Sequence, residues 1–123
     1  MTKAEAIQSF LERCGCAVYA ATSVPRDADL PYMTWEGQFA AFGDGECPIT
    51  VNYWAQTTSE ATADEVPELL SKMIGRGGAL IACDDGAIWI KRGSPFAQRL
   101  DTTGDDTIKR RYINLSAEFF FAD

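Results

Sequence analysis

The sequence predicts an α+β fold in which two helices pack on one face of a mainly antiparallel β-sheet, forming a single domain over residues 1–123. Three observations carry that prediction. Two stretches repeat their apolar residues at helical spacing, two pairs of strand-like segments are joined by short turn clusters, and residues 109–121 alternate between apolar and mixed positions. The hydrophobic content of 46% in 123 residues is enough for one core. The five prolines are scattered and no segment repeats at a fixed period, so nothing marks a linker or a second domain.

The first helix follows from Thr2 and Glu5, which form a capping-box pattern, and from Ala4, Ile7, Phe10, Leu11 and Cys14, which share one face. Gly15 ends it. Residues 16–21, with Val18 and Tyr19, suit a short strand, and residues 23–31, with Pro25, Asp27, Asp29 and Pro31, read as a loop. Residues 32–42 and 49–55 make two antiparallel strands around a turn cluster at 43–48. A second helix spans 57–74, with Ala63, Val66, Leu70 and Met73 as its apolar stripe, widened by Leu69 and Ile74. Thr58, Ser59 and Thr62 are its candidate N-caps. Pro67 belongs near the first turn of that helix or at a kink, because it lacks an amide donor.

Glycines within residues 75–78 stop the second helix. A hairpin then joins 79–83 to 87–91 through Asp84, Asp85 and Gly86, and residues 93–106 read as a loop. In the last strand, Arg111, Ile113, Leu115, Ala117, Phe119 and Phe121 face the core, with Tyr112, Asn114, Ser116, Glu118 and Phe120 on the other side.

Charge and chemistry exclude several functions. The net charge of −7 opposes a dedicated nucleic-acid binder, and the basic triplet Lys109, Arg110 and Arg111 reads as a solvated strand end. The chain has no histidine, which removes the usual general base and the nucleophile triads built on it. The pairs Asp84–Asp85 and Asp105–Asp106 adjoin glycines and read as turns before they read as catalytic carboxylates. Residues 75–78 follow a helix and lack the Gly-Lys-Ser/Thr ending of a phosphate loop. Cys14, Cys16, Cys47 and Cys83 show no paired metal-ligand spacing and read as reduced, buried thiols. No catalytic residue, metal site or cofactor is assigned. No apolar run reaches the roughly 20 residues of a membrane span, and the N-terminus lacks a secretion signal, so a cytoplasmic protein is expected. Trp35, Trp54, Trp89, Tyr32, Tyr53 and Tyr112 lie on expected strands. Core packing accounts for most of them, and the remainder mark a contact surface.

The segment Leu30-Pro31-Tyr32-Met33-Thr34-Trp35-Glu36 and the long stretch at 77–99, with Gly86-Ala87-Ile88-Trp89-Ile90-Lys91-Arg92-Gly93 at its centre, resemble the small tail-terminator-like proteins of long-tailed phages and of prophages in Gram-positive hosts. The resemblance spans nearly the whole chain. It implies a non-enzymatic virion component, assembled in the cytoplasm of a bacterial host. Such a protein forms a ring, expected to be a hexamer, at the head-proximal end of the tail tube. Its implied partners are copies of itself, the tail-tube protein and the head–tail connector proteins, with double-stranded DNA passing through the ring without specific binding and no membrane involved. Exposed strand aromatics and the expected 93–106 loop supply the candidate interface residues Trp35, Trp54, Arg92, Phe96 and Arg99. A head–tail joining or minor capsid protein is the alternative of the same kind. A small-molecule-binding or regulatory module is the alternative of another class, and a deep apolar pocket would favour it.

Overall fold

Thr2 caps the first helix as its sequence predicts: its hydroxyl accepts from the Glu5 amide at 3.1 Å, and the Glu5 carboxylate accepts from the Thr2 amide at 2.9 Å. This helix, α1 (Lys3–Glu12), opens a chain that continues through strands β1 (Ala17–Ala20), β2 (Tyr32–Gly37) and β3 (Glu46–Gln56). Helix α2 (Glu60–Ile74) follows, then β4 (Ala79–Cys83), β5 (Gly86–Leu100) and β6 (Ile108–Phe121). The structure, a computed structural model, describes residues 1–100 and 104–121.

The six strands form one sheet in the order β1-β2-β3-β6-β5-β4. Every neighbouring pair is antiparallel except β1 and β2, which run parallel with Ala17 opposite Tyr32 and Ala20 opposite Trp35. Strands hold 47% of the described residues and helices 21%, so the protein is mostly β, and the expected α+β arrangement of two helices on one face of a mainly antiparallel sheet does not hold. The sheet is mixed and curled. Helix α1 touches both β1 and β4, the two edge strands, whereas α2 lies under the central strands β3, β6 and β5. One helix bridging both edges requires the sheet to wrap around it, a consequence of accumulated strand twist. The loop at 21–31 carries the chain back to start β2 parallel to β1; its prolines and aspartates signal a loop but not the direction of the strand beyond it.

Strand β5 overturns a second expectation, because the supposed loop at 93–106 is strand as far as Leu100. Arg92 pairs with Leu115 and Ala97 with Ile113, leaving residues 93–96 opposite Asn114 alone. This is a large bulge, in which Gly93 and Pro95 serve a bend and not a chain reversal. The Asn114 side chain donates to the Pro95 carbonyl at 3.1 Å, and a Cβ on Gly93 would lie 2.7 Å from the Asn114 carbonyl oxygen. Strand β2 is shorter than expected, ending at Gly37, and β3 begins early, at Glu46. The connection between them folds back onto α1 and β6. Lys3 donates to the Ala40 carbonyl at 2.9 Å, its ammonium lies 4.3 Å from the Phe42 ring centre, and the Gly43 amide donates to the Phe119 carbonyl at 2.8 Å.

In α2, Ser59 is the N-cap and accepts from the Thr62 amide at 3.2 Å. Pro67 sits in the helix interior, where its buried ring packs in the core, and not in the first turn. The buried stripe is Ala63, Pro67, Leu70 and Ile74; Leu69, expected to widen it, is 42% exposed. From the sheet, Ile49, Val51 and Tyr53 of β3, Ile113, Leu115, Ala117 and Phe119 of β6, and Ile88 and Ile90 of β5 meet both helices in one core. Phe121 has the core parity but lies past the end of the core, exposed and stacked 4.8 Å from Phe42.

Candidate functional site

Because both helices lie within the curl of the sheet, the side chains of opposite parity form an outer face that no other element among the described residues covers. Two cross-strand rows define its centre. One runs Ala17, Tyr32, Trp54, Arg110 and Leu100; the next runs Tyr19, Thr34, Asn52, Tyr112 and Gln98. Tyr19 meets Tyr32 edge-on at 5.8 Å, Tyr32 lies 5.3 Å from Trp54, and the Arg110 guanidinium stands 5.4 Å from the Trp54 ring centre. Asn52 holds Arg110 in place, its Oδ1 accepting from Nε at 3.0 Å and from Nη2 at 2.8 Å.

Arg110 is the one charged residue in those two rows. Among the described residues it has no carboxylate at ion-pair distance. An aromatic ladder ending in a fixed, unneutralised cation, within a chain of net charge −7, is a surface suited to an acidic or amphipathic protein partner.

Toward the β4 edge the same face becomes apolar. Leu80, Ala87, Trp89, Phe120 and Phe121 surround a shallow depression of about 580 Å³ beside Gly77 and Gly78, with Leu80 70% exposed. The Trp89 indole donates to the Gly77 carbonyl at 2.7 Å. Between the two regions Lys91 pairs with Glu46, stands 3.9 Å from Glu118, and lies over Trp89 at 4.1 Å.

The opposite side of the molecule presents α2. Its inward edge is held by Arg111, which is 2% exposed; Nε donates to Asp64 at 2.6 Å and Nη2 to Glu60 at 2.9 Å. Arg99 adds a bond to Asp64 at 3.1 Å. Hydrogen bonding from Arg111 holds the Glu60 carboxyl below its ordinary value. Burial pushes Asp64 upward, but the hydrogen bonds and charges of Arg111 and Arg99 together outweigh it and leave Asp64 lowered. The outward stripe of α2 carries Ala61, Glu65, Glu68, Leu69 and Lys72 along a shallow groove of about 300 Å³.

The five sequence-derived interface candidates do not converge on one patch. Trp35 is 6% exposed and belongs to the core; its indole donates to Gln8 at 2.7 Å, and Gln8 in turn donates to the Val18 carbonyl at 2.7 Å. This residue is therefore occupied within the fold and is corrected from a surface contact to a core contact. Trp54 lies on the open face. Arg92 and Arg99 reach toward α2, Arg92 through a 3.0 Å bond to Ser71, and Phe96 is half-buried against the core. All three lie on strand β5, not on a loop.

The basic triplet is also corrected. Alternation splits it, sending Arg111 inward to the α2 carboxylates and Arg110 outward to Trp54, so it is not a solvated run. Arg110, Asn52 and Tyr19 are not among the sequence-derived interface candidates; alternation along β3 puts Asn52 on the face of Trp54, whereas the placing of Tyr19 and Arg110 beside them depends on strand register. One member of each aspartate pair is engaged within the fold. Asp84 receives the terminal ammonium at 2.7 Å, and Asp105 accepts from the Thr107 amide at 2.8 Å. Burial pushes the Cys14 thiol up to about 11, which keeps it protonated at neutral pH. Among the described residues, no group of three or more His, Cys, Asp or Glu side chains is placed to hold a metal ion, and no helix is long and apolar enough to cross a membrane.

No protein-family model and no curated protein sequence matches this chain. Among solved structures, a chain from the virion of a native gene transfer agent particle is similar in fold. The two share 18% identity with a TM-score of 0.63, over 94% of this chain and 96% of that one. Likeness at that identity establishes a common fold.

Proposed function

We propose that this protein is a non-enzymatic structural component of a tailed-phage-type virion, forming a ring that ends the tail tube and joins it to the head connector. One observation carries the reading: nearly the whole chain, 94%, shares its fold with nearly the whole of a chain found in a gene transfer agent virion. The sequence resemblance to tail-terminator-like proteins gives the finer role, with copies of itself, the tail-tube protein and the connector as partners. A hexameric ring assembles in the host cytoplasm, and double-stranded DNA passes through without specific binding. An excess of seven negative charges suits a channel that must not retain phosphates.

The surface supports an assembly role over catalysis. The uncovered outer face, with its aromatic ladder and exposed Leu80, offers a broad contact area, and the chain lacks histidine. Trp54 on that face, Arg92 and Arg99 beside α2, and Phe96 against the core are the proposed interface residues.

The test is incubation of the purified protein with purified tail tubes, followed by electron microscopy and co-sedimentation. Decoration confined to one tube end is the expected result. Binding to the head connector with no affinity for tubes would move the protein to head–tail joining. Binding to neither would overturn the assignment.

A further inference from the structure

The open face of the sheet and the outward stripe of α2 point in opposite directions, because the sheet and its core lie between them. Each carries what the other lacks. On the sheet face, Arg110 spends Nε and Nη2 on Asn52 and, among the described residues, keeps Nη1 uncommitted, beside the rings of Trp54 and Tyr32. On α2, Leu69 is 42% exposed next to the buried Leu70, and it is flanked by Glu65 and Glu68. Glu60 and Asp64 are engaged by Arg111 and Arg99, whereas neither Glu65 nor Glu68 has an ion pair among the described residues.

We infer that these two faces bind each other in successive copies of the chain: the Tyr32–Trp54–Arg110 ladder of one copy receives Leu69, Glu65 and Glu68 on α2 of the next. The leucine covers the aromatic rings and a carboxylate reaches the uncommitted guanidinium nitrogen, so apolar burial and charge pairing coincide. Arg110 is already fixed by Asn52 and Trp54, which lowers the entropy lost on docking. A contact between two different patches on opposite sides of a subunit is heterologous. It repeats head to tail and closes into a ring when the rotation allows. The inference deepens the ring assembly proposed above and rests on that reading only for closure at a tube end.

The experiment uses the full chain and two variants, Arg110→Glu and Leu69→Asp, with far-UV circular dichroism and thermal melting confirming that each is folded. Mass is followed by light scattering after size exclusion across a concentration series. The wild type is expected to associate beyond a dimer, and each variant to associate about tenfold or more weakly. Mixing the variants supplies the decisive outcome. Arg110→Glu retains its α2 face and Leu69→Asp retains its sheet face, so an equimolar mixture should form a dimer and nothing larger.

A wild type that stays monomeric at every concentration overturns the inference, as do variants that associate like the wild type or a mixture that forms no dimer. Impairment of one variant alone points to a different contact and also overturns it. Tail-tube binding is scored separately. Decoration of tube ends by a monomeric protein removes this interface but keeps the proposed function, whereas head-to-tail association without tube binding does the reverse.

Discussion

Asp64→Asn should destabilise the protein more than Arg111→Met, although both break the same ion pair. Arg111 is 2% exposed and meets Asp64 at 2.6 Å and Glu60 at 2.9 Å. Its remaining donors reach the Arg110 carbonyl at 3.2 Å and the Glu60 carbonyl at 3.3 Å. Removing one partner from a buried pair costs about 3–5 kcal/mol when the surviving charge has nothing else. Here Glu60 and two carbonyls persist, and the carboxylates are 47% and 35% exposed, so the figure falls to about 2 kcal/mol. Arg111→Met removes the buried charge itself and leaves two carboxylates that water and Arg99 can satisfy, with a cost of about 1 kcal/mol or less. Urea unfolding reads the difference. With a slope of about 2 kcal/mol per molar, Asp64→Asn should lower the midpoint by about 1 M and Arg111→Met by less than half of that. The double variant should resemble Arg111→Met alone, since Asp64 no longer has a buried cation to neutralise. Equal losses in the two single variants, or a larger loss in Arg111→Met, would refute the argument that the cost lies in a buried guanidinium left with only part of its compensation.

The same cluster sets an acid response. Folded Glu60 and Asp64 titrate below their unfolded values of 4.5 and 3.8, so their contribution is complete above those values and is lost as pH falls through the folded ones; stability measured from pH 5 to pH 2 should drop less in Arg111→Met than in the wild type. Gly93→Ala should destabilise by about 1–3 kcal/mol, because its Cβ would press on the Asn114 main chain at 2.7 Å; an unchanged urea midpoint would mean the bulge can shift. Ser59→Ala should cost about 1 kcal/mol through loss of the α2 cap, and Ser59→Gly less, as judged by thermal unfolding. Cys14, raised to about 11 by burial, should resist a thiol-specific reagent at pH 8 in the native protein and react once urea unfolds it, with labelling located by mass spectrometry.

Particular residues show where sequence reasoning succeeded. Thr2 and Glu5 marked the start of α1, Ser59 was among the caps proposed for α2, and the alternation from Arg111 to Phe119 gave the inner face of β6. Each signal depends on neighbours within a few residues. The errors also have local explanations. Gly93 and Pro95 imitate a loop because a bulge and a turn require the same residues, and Leu69 fits a helical stripe whose width depends on what lies beneath it. Trp35 and Trp54 look alike as strand aromatics. Register places Trp35 beside Val51 in the core and Trp54 beside Arg110 on the open face.

By itself the sequence determined two amphipathic helices, most of the strand segments and an acidic chain without histidine, because spacing, capping and composition act along the chain. The tertiary structure alone decided that β1 runs parallel to β2, that the sheet curls until one helix meets both its edges, and that Arg110 and Arg111 part to opposite faces with different partners. Those outcomes depend on pairing between segments far apart in sequence, such as Trp54 with Arg110 and Asp64 with Arg111, and a local pattern does not encode which distant strand or helix will meet it.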